Sequence, residues 1–425
     1  MKQTVAEKII SQHIGRPVKA GEIAIVPVDG VMATDATAPF AIRAFHEMVE
    51  GQGEKRGLWD ADRVSWIIDH AAPAPNERIA NLHRLMRDFH REMGGHFYDV
   101  GAGICHQLMV ENEHVRPGDV FVGADSHTPT YGALNAFAVG VGSTDLAAVL
   151  LTGKIWLKVP ESIRIELRGT LPKGIAAKDV ILFLLGELSV SGATYMAVEF
   201  AGPAVAPLSL ASRMTLANMS AEMGAKTGLV DAQGLALPYR FEPICADEGA
   251  HYAQRYTFDV SELRPQVALP HFPDNVQPID EALGQRVDQA FIGSCTNSRL
   301  EDLQMAARIL RGKQVHPRVR LVIAPASNQV FRAALSDGTV QALSDAGATF
   351  ITSGCGPCVG THQGVPGDDE VIISSTNRNF QGRMGNPRAS IYLGSPAVVA
   401  ASALRGEITD PVALLEEEDG AWEML

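Results

Sequence analysis

The chain has 425 residues, a formal net charge of −13, 46% hydrophobic residues and 20% charged residues. That length suits about three domains at a prior of roughly 150 residues each, with ample material for large cores. The acidic balance argues against a nucleic-acid footprint. Five cysteines in a chain this long exclude a secreted disulfide framework.

The first residues, MKQTVAEKIISQHIG, read as a capped helix. Thr4 and Glu7 form a capping box, Ile9, Ile10 and Ile14 share a face, and Gly15 ends it. This is not the long apolar core of an export signal. The most apolar stretch, VILFLLGELSV from Val180, is too short to span a bilayer and carries Glu187. A cytoplasmic protein with reduced thiols and no membrane partner is expected.

EIAIVPVDGV, from Glu22 to Val31, reads as a strand-like run, followed by a loop with Thr34 and Asp35 and a helix from about Pro39. VSWII ends in Asp69-His70, FYDV leads to GAGICHQ with His106, and VFVGA ends in Asp125-Ser126-His127. Asn76 to Met93 is helical and charged. Each short β-rich run gives way to a polar or glycine-rich loop and then usually a helix. That order predicts an α/β fold with a largely parallel sheet, whose ligands sit at the carboxyl ends of strands.

From Ser162 the pattern is a strand (IRIEL), a turn-rich connection and a helix over Asp179–Leu188. In ANMSAEMGA, Asn218 and Glu222 lie one helical turn apart, and the small residues around them predict burial. The Pro-rich stretch between Leu237 and Val287 reads as a connector. The expected domains are therefore 1–160, 161–287 and 288–425, the last closing in an acidic tail (Glu416 to Asp419).

In the last segment Cys295 follows QAFIGS, Cys355 and Cys358 lie in SGCGPCVG, and Asn377-Arg378 follows VIISST. Three thiolates are one short of a structural zinc site or a fully ligated iron–sulfur cluster. An incomplete set is what a catalytic metal centre needs, because the open position takes substrate. The sharper reading is a 4Fe–4S cluster with one iron left free as a Lewis acid. The plainer reading is a redox dithiol or half a zinc site, with Cys295 as buried filler.

If the substrate is a hydroxy-acid, elimination needs a base for a carbon-bound proton and an acid for the departing oxygen. Asp69, Asp125 and Glu222 are available partners for His70, His106 and His127. Arg378 and Arg383, in STNRNFQGR, flank a turn suited to holding carboxylates. Ten of the 13 histidines lie on charged helices or in polar loops and are discounted. Arg388 fits a surface charge, and GVGS at Gly140 fits packing rather than a phosphate cradle.

GAGICHQ, GADSHTPT, NMSAEMGA, GSCTNS, GCGPCVG and NRNFQGR resemble, in the same order, signature segments of the aconitase superfamily. The resemblance runs from the N-terminal helix to about Pro411. It implies three α/β/α domains around a 4Fe–4S cluster held by Cys295, Cys355 and Cys358. It implies carboxylate–histidine pairs among Asp69, His70, His106, Asp125, His127 and Glu222, with His70 as the acid toward the leaving hydroxyl. Ser126 falls in the same signature as a substrate contact. Asn218 and Asn377 would support substrate or cluster, and Arg378 and Arg383 would bind carboxylates. Thr34 stands where aconitases carry a substrate-touching glutamine, so contacts there are expected to differ.

Aconitases also carry a fourth, swivelling domain with a serine base. Its expected absence here matches the two-subunit branch, which includes 3-isopropylmalate dehydratases and homoaconitase-like enzymes. The base would then arrive on a separate small subunit. The resemblance implies a hydro-lyase acting on a 2-hydroxy di- or tricarboxylate, with the 3-isopropylmalate reaction of leucine biosynthesis first. GCGPC, against the GCSMC-like form of many bacterial isopropylmalate enzymes, leaves homoaconitate, citramalate/citraconate and 2,3-dimethylmalate open. A reading of another class, a non-enzymatic iron–sulfur protein, requires a fourth protein ligand. Cys105 and Cys245 are poor choices for that.

Overall fold

A computed structural model describes residues 2–50 and 57–416. They group into two compact units. The first is Met1–Asp99, Cys105–Gly169 and Ser191–Asp259; the second is Val100–Ile104, Thr170–Val190 and Val260–Leu425. The acidic stretch from residue 417 onward lies outside the described residues. No helix among the described residues is long and apolar enough to cross a membrane.

In the first unit, helix Val5–Ile14 carries the expected capping box, and Gly15 closes it at φ 70°. Ile9 and Ile10 are fully buried, each contributing about 1.5–3 kcal/mol by burial. The run Glu22–Val31 is not one strand. Ile23–Pro27 pairs antiparallel with Lys154–Lys158, whereas Gly30–Thr34 enters a different sheet. Asp29 makes the break: its carboxylate and its N–H both bond the main chain of Val120.

The main sheet of this unit is five-stranded and parallel. Its order is His96–Tyr98, Val64–Ile67, Gly30–Thr34, Val120–Gly123, Phe137–Gly140. Chain order runs outward from Gly30–Thr34 to one side, then returns to its other side. The switch point therefore lies between Gly30–Thr34 and Val120–Gly123, and ligands of such sheets bind in the crevice there. Helices Ala38–Val49, Glu77–Met93 and Ser143–Thr152 bury Phe45, Phe89 and Leu146 in the same core as Val31, Trp66 and Val122.

A second sheet in this unit is also parallel: Thr227–Val230, Ala197–Ala201, Ser162–Arg168, Gln254–Asp259. Its last strand comes from the stretch read as a connector. That strand is an edge with mostly exposed side chains, and only Tyr256 and Phe258 carry its short apolar alternation.

The second unit is built on a seven-stranded sheet: Val276–Pro278, Gln266–Ala268, Ser390–Leu393, Val371–Ser374, Gln289–Ile292, Arg320–Ile323, Thr349–Phe350. The last five are parallel and the first two antiparallel. Its switch point lies between Gln289–Ile292 and Val371–Ser374. Helices Leu300–Leu310 and Pro396–Arg405 pack Leu303, Leu310, Val398 and Val399 into a core with Ile292, Ile323 and Ile373. Helix Ala177–Leu188, from earlier in the chain, also belongs to this unit.

Gly132 lies in the 3-10 segment Thr128–Leu134, directly after His127. A Cβ there would stand 1.7 Å from the Gly228 carbonyl oxygen on strand Thr227–Val230. Gly132→Ala is expected to cost about 3 kcal/mol, since rigid backbone must move. Thermal unfolding checks this; an unchanged Tm would contradict the close packing.

Candidate active site

In the first unit the carboxyl ends of three neighbouring strands converge on buried acids. Asp35, after Gly30–Thr34, accepts the N–H groups of Asp69 (3.0 Å), His70 (2.8 Å) and Ala71 (2.9 Å). The His83 ring stands 3.2 Å from its other side. Burial pushes the Asp35 carboxyl up, but His83, the charge of His70 and the main-chain N–H groups outweigh it and hold it well below the usual carboxylate range. Asp35 thus pins the loop after Val64–Ile67 to the next strand.

That loop carries Asp69, which is fully buried. One oxygen meets His70 Nδ1 at 2.7 Å and the other accepts the Cys105 N–H at 2.7 Å. His70 Nε2 lies 3.4 Å from Asp125 Oδ2. Asp125 Oδ1 in turn meets His106 Nε2 at 2.9 Å and accepts the His127 N–H at 2.8 Å. His106 Nδ1 faces the Tyr131 hydroxyl at 3.1 Å, and His127 Nε2 faces Glu222 at 2.7 Å. Burial raises the Asp125 carboxyl, but the charge and hydrogen bond of His106, with the bonds of His127 and His70, drive it far below its ordinary value.

The structure therefore pairs His70 with Asp69, His106 with Asp125 and His127 with Glu222, and joins the first two pairs through Asp125. Asn218, at the end of helix Leu210–Met219, donates to Thr130 Oγ1 (2.9 Å), whose hydroxyl bonds the His127 carbonyl (2.6 Å). Asn218 and Glu222 are both buried. Ser126 is exposed, its hydroxyl 3.3 Å from His127 Nδ1. Thr34 stands apart: it is fully buried, with its hydroxyl 3.3 Å from that of Thr37.

In the second unit Cys295 leaves strand Gln289–Ile292 through Ser294, whose φ of 83° reverses the chain. Cys355 and Cys358 sit in a tight turn closed by a Cys358 N–H to Cys355 carbonyl bond of 3.1 Å. Residues three apart in such a turn lie one above the other. All three cysteines are buried, and none of the five in the chain is in a disulfide. Asn377 Nδ2 points at Cys295 Sγ at 3.4 Å, and Arg383 Nη2 at Cys358 Sγ at 3.8 Å. Buried Arg299 donates to the carbonyls of Cys295 and Thr296, both at 2.7 Å. N–H groups and a cation gathered at sulfur suit electron-rich thiolates, so this donor set fits a soft metal centre.

Arg378 is half-buried beside Asn377, whereas Arg388 is exposed and bonds Asp368 and Asp369. Cys105 lies in the first unit and Cys245 is exposed there. Gly140 presses on the Asp125 carbonyl, leaving a Cβ only 2.5 Å of clearance, which is packing rather than a phosphate cradle. A cavity of about 580 Å³ lined by His13, Asp29, Arg116 and Tyr239 includes Cys245 but none of the paired acids and histidines above, nor Cys295, Cys355 or Cys358. Asp29 and Asp119 there precede strands Gly30–Thr34 and Val120–Gly123, so the cavity lies at the amino ends.

Two residues of the network escape sequence reasoning. Asp35 is visible only as a loop residue, and His83 is discounted because it lies on a charged helix. Its signal is positional: His83, Met86 and Phe89 form the buried face of helix Glu77–Met93. Because the Asp35 carboxyl is depressed when folded, its stabilisation is complete above about pH 4 and lost as pH falls toward the native value. Asp35→Asn is expected to lower Tm at pH 7, and the gap to the parent should narrow on acidification. A gap independent of pH would contradict the charge assignment.

Residues 7–241 and 282–406 match the aconitase family (aconitate hydratase). The chain is 48% identical to the 3-isopropylmalate dehydratase large subunit 1 of Methanopyrus kandleri, over 97% of this chain and 99% of that one. It is 47% identical to the homoaconitase large subunit of Thermus thermophilus, over 98% and 99% respectively. The crystal structure of Thermococcus kodakaraensis aconitase X (holo-form) shares the fold with a TM-score of 0.52 at 13% identity, over 88% of this chain and 90% of that one. The family match spans both switch-point clusters, and on that ground the chain belongs to the aconitase family.

Proposed function

We propose that this protein is the large, cluster-binding subunit of a hydro-lyase that dehydrates and rehydrates a 2-hydroxy di- or tricarboxylate. The first substrate choice is 3-isopropylmalate. One observation carries the reading: three buried cysteines flanked by Asn377 and Arg383, in a chain that also holds three carboxylate–histidine pairs at strand ends. Support for the substrate class comes from the names of relatives that align over 97% or more of this chain.

Cys295, Cys355 and Cys358 would hold a 4Fe–4S cluster. When bound, such a group supplies one iron without protein sulfur, a Lewis acid for a hydroxyl and a carboxylate. His70 holds a proton at Nε2 for the departing hydroxyl, while Asp69 fixes the ring through Nδ1. Asp125 and Glu222 orient His106 and His127 in the same way. Arg378 and Arg383 bind substrate carboxylates, and Ser126, Asn218 and Asn377 are the further proposed substrate contacts. Thr34 acts through the turn it closes with Thr37.

The partner is a separate small subunit bringing the swivelling domain, the serine base and part of the specificity. The "large subunit" names of the relatives support a second chain. Three α/β/α domains, 1–160, 161–287 and 288–425, remain our architectural proposal. The first two segments each contain a whole sheet, and the third holds the five parallel strands of the last. Reduced thiols and net charge fit a cytoplasmic enzyme without nucleic-acid partners. A second reading, the homoaconitase reaction, is favoured by near-equal identity to the Thermus relative.

Anaerobically reconstituted protein should show iron–sulfur absorption, and Cys355→Ser should lose it. With its small subunit it should hydrate the unsaturated diacid of the 3-isopropylmalate reaction faster than the unsaturated triacid of the homocitrate series. Stoichiometric zinc without iron would contradict the metal assignment. Asp69→Asn should cut kcat by about 10²–10⁴ with KM little changed, the range for a positioned acid. Equal loss in kcat and in cluster content would instead make Asp69 structural.

A further inference from the structure

Lys178 is wholly buried in the first turn of helix Ala177–Leu188, and nothing in the chemistry above uses it. A lysine ammonium is rarely found there unless specific groups replace its lost hydration. Its Nζ donates to the main-chain carbonyls of Ser375 (2.9 Å) and Thr376 (2.5 Å). Those are the two residues immediately before Asn377 and Arg378.

The position of these carbonyls explains the need. Ser374 ends its strand, and its carbonyl still accepts the Gly394 N–H at 3.0 Å. The next two carbonyls leave the ladder and turn to Lys178. The same turn is tied to the neighbouring strand, since the Ser375 N–H donates to the Phe291 carbonyl (3.0 Å) and the Gly293 N–H to Ser375 Oγ (3.1 Å). Just beyond the turn, Asn377 Nδ2 reaches Cys295 Sγ at 3.4 Å. Arg299 does for the other strand end what Lys178 does for this one, holding the carbonyls of Cys295 and Thr296. Two buried cations thus brace the two strand ends that flank the switch point of this unit.

We propose that Lys178 is a positioning residue for the proposed reaction. It fixes the Asn377–Arg378 turn so that the Asn377 amide stays on the Cys295 sulfur and Arg378 meets a substrate carboxylate. Its charge also favours the electron-rich state of the thiolate centre. This rests on the iron–sulfur reading above.

The test compares Lys178→Met and Lys178→Arg with the parent in the reconstituted complex with the small subunit. A parent without cluster or activity would defeat the functional reading itself, separately from this inference. Given an active parent, Lys178→Met should keep its iron content but show a lower cluster midpoint potential, because a nearby positive charge is gone. Its KM should rise on the order of tenfold, and Lys178→Arg should recover most of the potential. Asn377→Ala should lower the potential too, and the double variant should add little. A folded Lys178→Met with parental potential and KM overturns the proposal. If methionine prevents folding, Lys178→Gln keeps one donor without charge, and a parental potential in that variant overturns it equally.

Discussion

The carboxyl edge of a parallel sheet imposes one constraint on this protein. Where adjacent strands part in opposite directions, main-chain groups leave the ladder and must find other partners. In the first unit Asp35 gathers three such N–H groups from the next strand end. In the second, Arg299 and Lys178 gather carbonyls. Acids collect donors on one sheet and cations collect acceptors on the other. Each charge is placed by the backbone group it must satisfy, because a buried polar group left unpaired costs about as much as a lost hydrogen bond or more.

Chemistry follows from that placement. Once Asp35 pins the loop, Asp69 and His70 have a fixed direction, and Asp125 becomes a shared acceptor for three histidines. Sharing explains why its carboxyl stays ionised despite burial. An ionised acid held among imidazoles fixes their tautomers without itself taking the proton, which general acid catalysis requires. At the other switch point an amide approaches the Cys295 sulfur and a guanidinium approaches the Cys358 sulfur. Under the proposed reading, such a thiolate set would hold a metal centre with a position left for an exogenous ligand.

Much of this was legible in the sequence because short parallel strands end abruptly. Asp69-His70, Asp125-Ser126-His127, Cys295 and Asn377-Arg378 each follow an apolar run of four to six residues, so their position at an edge could be read directly. The alternation of strand and helix gave the parallel sheets, and the small residues around Asn218 and Glu222 gave their burial. What stayed hidden depends on tertiary partners. His83 looks like a surface residue until the buried stripe with Met86 and Phe89 is seen. Lys178 lies in the first turn of an ordinary apolar helix, and nothing local says that its ammonium meets a turn nearly 200 positions later. The break of Glu22–Val31 into two strands depends on Asp29 finding Val120. The edge strand Gln254–Asp259 hides among polar residues because its alternation amounts to Tyr256 and Phe258 alone, and its pairing with Ser162–Arg168 depends on the tertiary fold.

The central claim is that three protein sulfurs hold a cluster whose remaining iron is left for substrate. Mössbauer spectroscopy of protein reconstituted with ⁵⁷Fe, before and after addition of the hydroxy-diacid, tests it most directly. The account predicts that one iron site in four changes its signal on binding while the other three keep theirs. A spectrum unmoved by saturating substrate, or one in which all sites move together, would contradict it.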